Sequence, residues 1–193
     1  PVAGPGDAEG WLWKPGGMWY NIGMKILAIE SSCDETAAAV IEDGVKVLSN
    51  VVVSQVDIFA KYGGVIPEVA ARSHLEAILP VVEKALEDAG LTKEEIDAIA
   101  VTHTPGLMGS LLIGTLTARM LAILWGKPLY ATHHLKSHIY ANWLSTGETP
   151  EFPLLALVIS GGHTQIIYMQ EHNNFEIIGT TRDDAIGECF DKV

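Results

Sequence analysis

Along the first part of the chain the apolar positions come in short runs separated by polar turns, and further on they take up helical spacing. Lys25 to Glu30 is a brief apolar run, the polar turn Glu30-Ser31-Ser32-Cys33-Asp34-Glu35 follows, and Thr36 to Ile41 is a second run of small and branched residues. This alternation predicts a hairpin. Asp43-Gly44 is favoured turn chemistry, so Val45 to Ser54 is expected to add a third strand. From Pro67 to Ala89 the period becomes helical, with Leu75, Ile78, Leu79, Val82 and Leu86 on one face and Pro80 expected to bend the helix. Gly90 ends it, and Thr92 with Glu95 has the spacing of a capping box. Ala98 to Thr102 then reads as a buried strand, Gly109 to Trp125 as a buried helix, Pro128 to Thr132 as a strand, and His134 to about Leu144 as a helix. The predicted order is βββαβαβα, an α/β lobe.

After a Pro150 to Pro153 linker the pattern starts again. Leu154 to Ser160, the Gly161-Gly162 turn, Thr164 to Gln170, the His172-Asn173-Asn174 turn and Phe175 to Thr180 repeat the meander, and a helix begins near Asp184. The organisation expected is therefore a flexible leader over 1–23, one lobe over 24–150, and the first strands of a similar lobe over 151–193, cut off there. Two such lobes face to face would set their first turns opposite each other across a cleft.

Composition narrows the partners. A chain of 193 residues that is 48% hydrophobic can bury a real core. Its formal charge of -12 argues against coating nucleic acid unaided, so a nucleic-acid partner would need basic surface from elsewhere. Cys33 and Cys189 lie far apart without metal-site spacing, which fits a reducing cytoplasm. The leader carries Trp11, Trp13 and Trp19 but no signal-peptide pattern. Leu107 to Trp125 is apolar enough to raise the question of a membrane, yet Ser110, Thr115, Thr117 and Arg119 interrupt it, and a helix packed between sheet and neighbouring helix is expected instead.

Candidate chemistry sits in three places. In Thr132-His133-His134-Leu135-Lys136-Ser137-His138, His134 and His138 are four residues apart and, on a helix, project from one face toward one divalent ion; capping or surface histidines are the bland alternative. The turns at Ser31-Ser32 and at Ser160-Gly161-Gly162-His163 are small enough for backbone N–H groups to approach phosphate oxygens, although each alone also reads as an ordinary hairpin turn. Their equivalent places in a duplicated unit favour the phosphate reading. Asp34 and Glu35 form an acidic pair in the first of these turns, with a solvated turn as the alternative.

Six separated blocks in order, Ile29 to Thr36, Gly64 to Arg72, Thr104 to Leu107, His133 to His138, Ser160 to Thr164 and Asp183 to Lys192, make the sequence resemble the tRNA adenosine threonylcarbamoyltransferase family, long mislabelled as O-sialoglycoprotein endopeptidases. The match runs from Met24 to the last residue. The resemblance implies an actin-like and sugar-kinase-like (ribonuclease H-like) fold and transfer of a threonylcarbamoyl group from threonylcarbamoyl-adenylate to the exocyclic amine of the adenosine beside the anticodon. It implies that His134 and His138 are two of three protein ligands to one iron or zinc ion, the third being an aspartate beyond Val193. It also implies that Ile159, Ser160, Gly161, Gly162 and His163 form the loop for the adenylate or an ATP-like nucleotide, that Asp191 holds its ribose or a neighbouring group, and that Asp34 and Glu35 are needed for activity.

The partners implied are tRNA and the accessory subunits of the threonylcarbamoyladenosine complex, with a homodimer through the first lobe as a further possibility and no membrane. Three other readings are weighed beside this one. A zinc peptidase of the usual helical type needs His-Glu-x-x-His, and Leu135 occupies the place of the Glu. A non-catalytic scaffold has no need of the His pair or the Ser-Gly-Gly-His loop, and a sugar kinase leaves the His pair unexplained. The expectation is that the full-length parent transfers threonylcarbamoyl, while the 193-residue piece alone does not and holds metal only modestly.

Overall fold

The computed structural model describes residues 11–14, 18–21, 23–145 and 149–193. Within the stretch read as a leader, β1 (Trp11–Lys14) and β2 (Met18–Asn21) pair as an antiparallel ribbon, in keeping with the strand preference of aromatic residues. The meander follows as β3 (Lys25–Glu30), β4 (Glu35–Glu42) and β5 (Lys46–Ser54). Its tight turn is the one expected, with Asp43 at φ 54° and Gly44 at φ 71°. A short helix that periodicity did not reveal, α1 (Val56–Phe59), precedes α2 (Pro67–Ala89). Pro67 opens α2, Pro80 lies inside it, and Gly90 at φ 66° closes it with its N–H bonded to the Glu87 carbonyl. The Thr92 and Glu95 capping box forms as read.

The rest of the lobe is β6 (Ala98–Thr104), α3 (Met108–Trp125) and β7 (Leu129–His133). Strand order is β5-β4-β3-β6-β7, with β3 antiparallel to β4 and parallel to β6, and β6 parallel to β7. A parallel neighbour requires a crossover, and α2 and α3 supply the two needed here. Leu27, Ile29, Val40, Ile96 and Ile99 are buried where these helices cover the sheet. Each such side chain contributes about 1.5–3 kcal/mol relative to exposure.

The helix at Met108–Trp125 is long and apolar enough to cross a membrane, but it packs on the sheet through Ser110, Gly114, Ala118, Leu121 and Ala122. Its other face departs from the expectation of a buried helix. Leu112, Leu116, Ile123 and Leu124 recur at helical spacing and are more than half exposed.

Two compact units divide between His134 and Leu135. The second contains α5 (Asn142–Ser145) and the meander β8 (Leu154–Ile159), β9 (Thr164–Glu171) and β10 (Asn174–Thr180), followed by α6 (Ile186–Lys192). Helix α4 (His134–Tyr140) begins at the division, and Leu135 and Ile139 pack with Val158, Ile167 and Met169. The second unit thus runs over Leu135–Val193. One helix was expected from His134 to about Leu144; it is broken at Ala141 into α4 and α5. The order β10-β9-β8, antiparallel throughout, repeats β5-β4-β3, so the expected duplication of the meander is present.

Candidate active site

In the first unit most of the candidate residues gather on the loop between β3 and β4. Ser31 and Ser32, read as part of a phosphate loop, are 0% and 2% exposed. Their hydroxyls are directed inward: Ser31 Oγ donates to the Ser110 carbonyl at 2.8 Å, and Ser32 Oγ lies 3.1 Å from His134 Nδ1. Small residues are needed here because other chain passes close by, a cause that sequence alone does not separate from approach to an anion. A Cβ on Gly106 would stand 2.5 Å from the Ser32 carbonyl oxygen, and one on Gly114 would collide with Ser31 Oγ. The Leu107 N–H donates to the Ser32 carbonyl at 2.7 Å.

His74, left outside the site by sequence reasoning, anchors the next residues. It is fully buried on α2, with Nε2 2.9 Å from the Cys33 carbonyl and Nδ1 2.8 Å from Thr36 Oγ1. A carbonyl can only accept, so Nε2 carries a proton and donates it to the Cys33 carbonyl, while Nδ1 and the Thr36 hydroxyl share the second bond. The Gln55 N–H donates to the Asp34 carbonyl at 2.9 Å. The loop is thus held from α2, α3 and the end of β5, while Asp34 and Glu35 stay partly accessible.

Electrostatics differentiate the carboxylates. Burial would raise Glu30, but hydrogen bonds from His134, Ser32 and Thr102 outweigh it and draw the carboxyl down to about 2. Glu30 is therefore ionised and acts only as an acceptor. Glu35 is held above the usual range by burial, by its hydrogen bond with Asp34 and by the Asp34 and Glu30 charges, with His134 acting in the opposite direction. Adjacent carboxyls whose charges oppose each other favour a proton on one of them. Cys33 is pushed up to about 11 by burial, by its hydrogen bond to Asp34 and by the Asp34 and Glu35 charges. Its thiolate is disfavoured, so alkylation of Cys33 should keep accelerating with pH well beyond pH 9, about tenfold per unit. Measured in a Cys189→Ser background, a rate that levels off below pH 9 would contradict this account.

In the second unit, Ile159, Ser160 and His138 line one cavity of about 470 Å³ beside the apolar residues of β8. The turn after β8 is closed by the Ser160 N–H donating to the His163 carbonyl at 2.8 Å and the His163 N–H donating to Ser160 Oγ at 3.0 Å. Gly161 and Gly162 face open space on the side a Cβ would occupy. Helix α6 abuts this turn through Gly187, where a Cβ would lie 2.8 Å from the Ser160 carbonyl oxygen and 2.9 Å from Gly161 Cα. Gly187 was not singled out in the sequence because the contact joins residues far apart in the chain. Asp191 falls on α6, and its side chain lies outside the described residues.

His134 and His138 lie on α4, four positions apart as the sequence pattern requires. Among the described residues no group of three His, Cys, Asp or Glu side chains is assembled to hold a metal. The surroundings of His134 nonetheless fit a ligand: an ionised carboxylate, Glu30 Oε2, stands 3.4 Å from its Nδ1, the arrangement that backs metal-bound imidazoles. The donor set fits a metal in part, with two imidazoles on one helix.

A five-stranded mixed sheet covered by two crossover helices, with its antiparallel meander repeated later in the chain, defines a protein of the actin-like and sugar-kinase-like class. YeaZ from Pseudomonas aeruginosa shares this fold, with a TM-score of 0.51 at 20% identity over 81% of this chain and 65% of that one. The family model for tRNA N6-adenosine threonylcarbamoyltransferase matches residues 46–193, and the chain belongs to that family. Proteins of that name from Symbiobacterium thermophilum and Dehalococcoides mccartyi are 61% and 57% identical over 87% and 88% of the chain. The chain spans about half the length of these relatives, 49% and 52%.

Proposed function

We propose that the protein acts in tRNA modification, transferring threonylcarbamoyl from its adenylate to the exocyclic amine of the adenosine next to the anticodon. The observation that carries this reading is the Asp34 and Glu35 pair, held on a loop pinned from three sides with His134 beside it. In the reaction the amine nitrogen bonds to the carbamoyl carbon, the bond from that carbon to the adenylate phosphate oxygen breaks, and AMP leaves. The amine must lose a proton, and Asp34, adjacent to a Glu35 whose carboxyl is held above the usual range, is assigned to accept it. Ile159 to His163 and Asp191 are assigned to the adenylate, and His134 and His138 to one iron or zinc ion. Such an ion would supply Lewis-acid polarisation of the carbamoyl carbonyl.

Accessory subunits fit the exposed apolar stripe of α3, which suits pairing with another helical surface, and the net charge of -12 fits tRNA docking through basic partners. A cytoplasmic location follows from the tRNA substrate. The test is incorporation of labelled threonine into tRNA transcripts by the full-length protein with its partners and adenylate supplied. Asp34→Asn should slow incorporation by roughly 10²-fold or more while leaving the fold intact. A variant as fast as the wild type would remove Asp34 from the chemistry, and no incorporation by the wild type would favour the scaffold reading.

A further inference from the structure

Glu30 was no candidate in the sequence, where it reads as the last residue of a strand. In the fold its carboxylate has the Ser32 N–H on Oε1 and His134 Nδ1 3.4 Å from Oε2. The buried Thr102 and the Ser32 hydroxyl lie in the same surroundings and help hold the carboxyl in its charged form. The side chain is 30% exposed and that of His134 25%, so both are partly withdrawn from water.

We propose that Glu30, with Ser32, is the positioning residue of His134: it holds the ring proton on Nδ1 and so presents the Nε2 lone pair as the ligand atom. This rests on the reading that His134 binds a metal. The argument is one of donors and acceptors. Nδ1 faces Ser32 Oγ at 3.1 Å and a carboxylate oxygen at 3.4 Å. A carboxylate offers only lone pairs, so an Nδ1 lone pair directed at it would be repelled, whereas an Nδ1–H is shared between the two oxygens. The Ser32 hydroxyl then accepts from the ring, while the Ser32 N–H donates to Glu30 Oε1, so one residue ties the ring to the carboxylate. A neutral imidazole has one proton to place, and fixing it on Nδ1 leaves the lone pair on Nε2. The same contacts fix the ring plane, because Ser32 is itself held by the Leu107 N–H on its carbonyl.

Glu30→Gln separates positioning from packing. The amide keeps the shape and can still accept the Ser32 N–H through its oxygen, but its NH2 then faces Nδ1 and favours the opposite tautomer. Nitrogen-15 NMR of the metal-free protein should show His134 protonated at Nδ1 in the wild type and at Nε2 in Glu30→Gln. Zinc affinity, measured by competition with a chromophoric chelator, should fall roughly 10- to 100-fold in the variant, and His134→Ala should fall at least as far. A wild type protonated at Nε2 overturns the proposal without recourse to any variant, which covers the case of a variant that fails to fold. Zinc affinity lost in His134→Ala yet kept within twofold in Glu30→Gln also overturns it while leaving the metal reading intact. Zinc binding indifferent to His134→Ala overturns the metal reading, and this one with it.

Discussion

Replacing His74 with alanine is expected to destabilise the protein by about 3–5 kcal/mol, the largest effect of any single substitution around the site. Two losses add. The ring is fully buried, so its removal leaves a cavity between α2 and the sheet. It also strands two polar groups, the Cys33 carbonyl and the hydroxyl of Thr36, which is 0% exposed. For a chain of this length each kcal/mol corresponds to roughly 2–4 °C, so calorimetry should record a fall in Tm of about 6 °C or more. Amide exchange at Cys33 and Asp34 should quicken beyond the global change, since their anchor to α2 is gone. A loss under about 1 kcal/mol would mean that water replaces both bonds and that His74 does not hold the loop.

Gly106→Ala comes next, with an expected cost of about 1–3 kcal/mol. The new methyl would sit 2.5 Å from the Ser32 carbonyl oxygen, 2.7 Å from Ser32 Cβ and 3.0 Å from Ser32 Cα. Two of these three atoms are backbone, so no rotamer change relieves the contact. Either the Thr104 to Leu107 turn or the Ser31 to Glu35 loop must move, and the 2.7 Å bond from the Leu107 N–H to Ser32 is strained in both cases. Because Ser32 also touches His134, the displacement reaches the proposed ligand, and transfer activity should fall at least tenfold alongside the stability change. Gly64→Ala is the control, since a Cβ there meets nothing within 4 Å, and its stability should stay within about 0.5 kcal/mol of wild type. Urea titrations of both variants decide the matter. Equal stabilities would show that the close approach at Gly106 is relaxed at no cost.

Much of the fold was legible because it is written in local patterns. The Asp43-Gly44 turn, the Gly90 cap, the Thr92 and Glu95 box and the limits of α2 all depend on residues within a few positions of one another. The packing of Leu135 and Ile139 with Val158, Ile167 and Met169 was not legible, because it joins residues well apart in the chain. The exposed face of α3 escaped for a related reason: an apolar residue toward solvent and one toward the sheet look alike in sequence.

The site divides in the same way. Asp34, Glu35, His134 and Ser160 stand out by residue type and spacing, so the sequence by itself determined which groups are candidates for the chemistry and which family the chain resembles. Glu30, His74, Gly106 and Gly187 do not stand out, since their partners lie between 2 and 104 residues away and most are reached only across strands and helices. Only the tertiary structure decided that Ser31 and Ser32 turn inward, that Glu30 backs His134, and that α6 abuts the Ser160 turn. The physical reason is that hydrogen bonds and steric contacts act over a few ångströms in space. A chain records residue types in order, and only folding sets which of them come within that range.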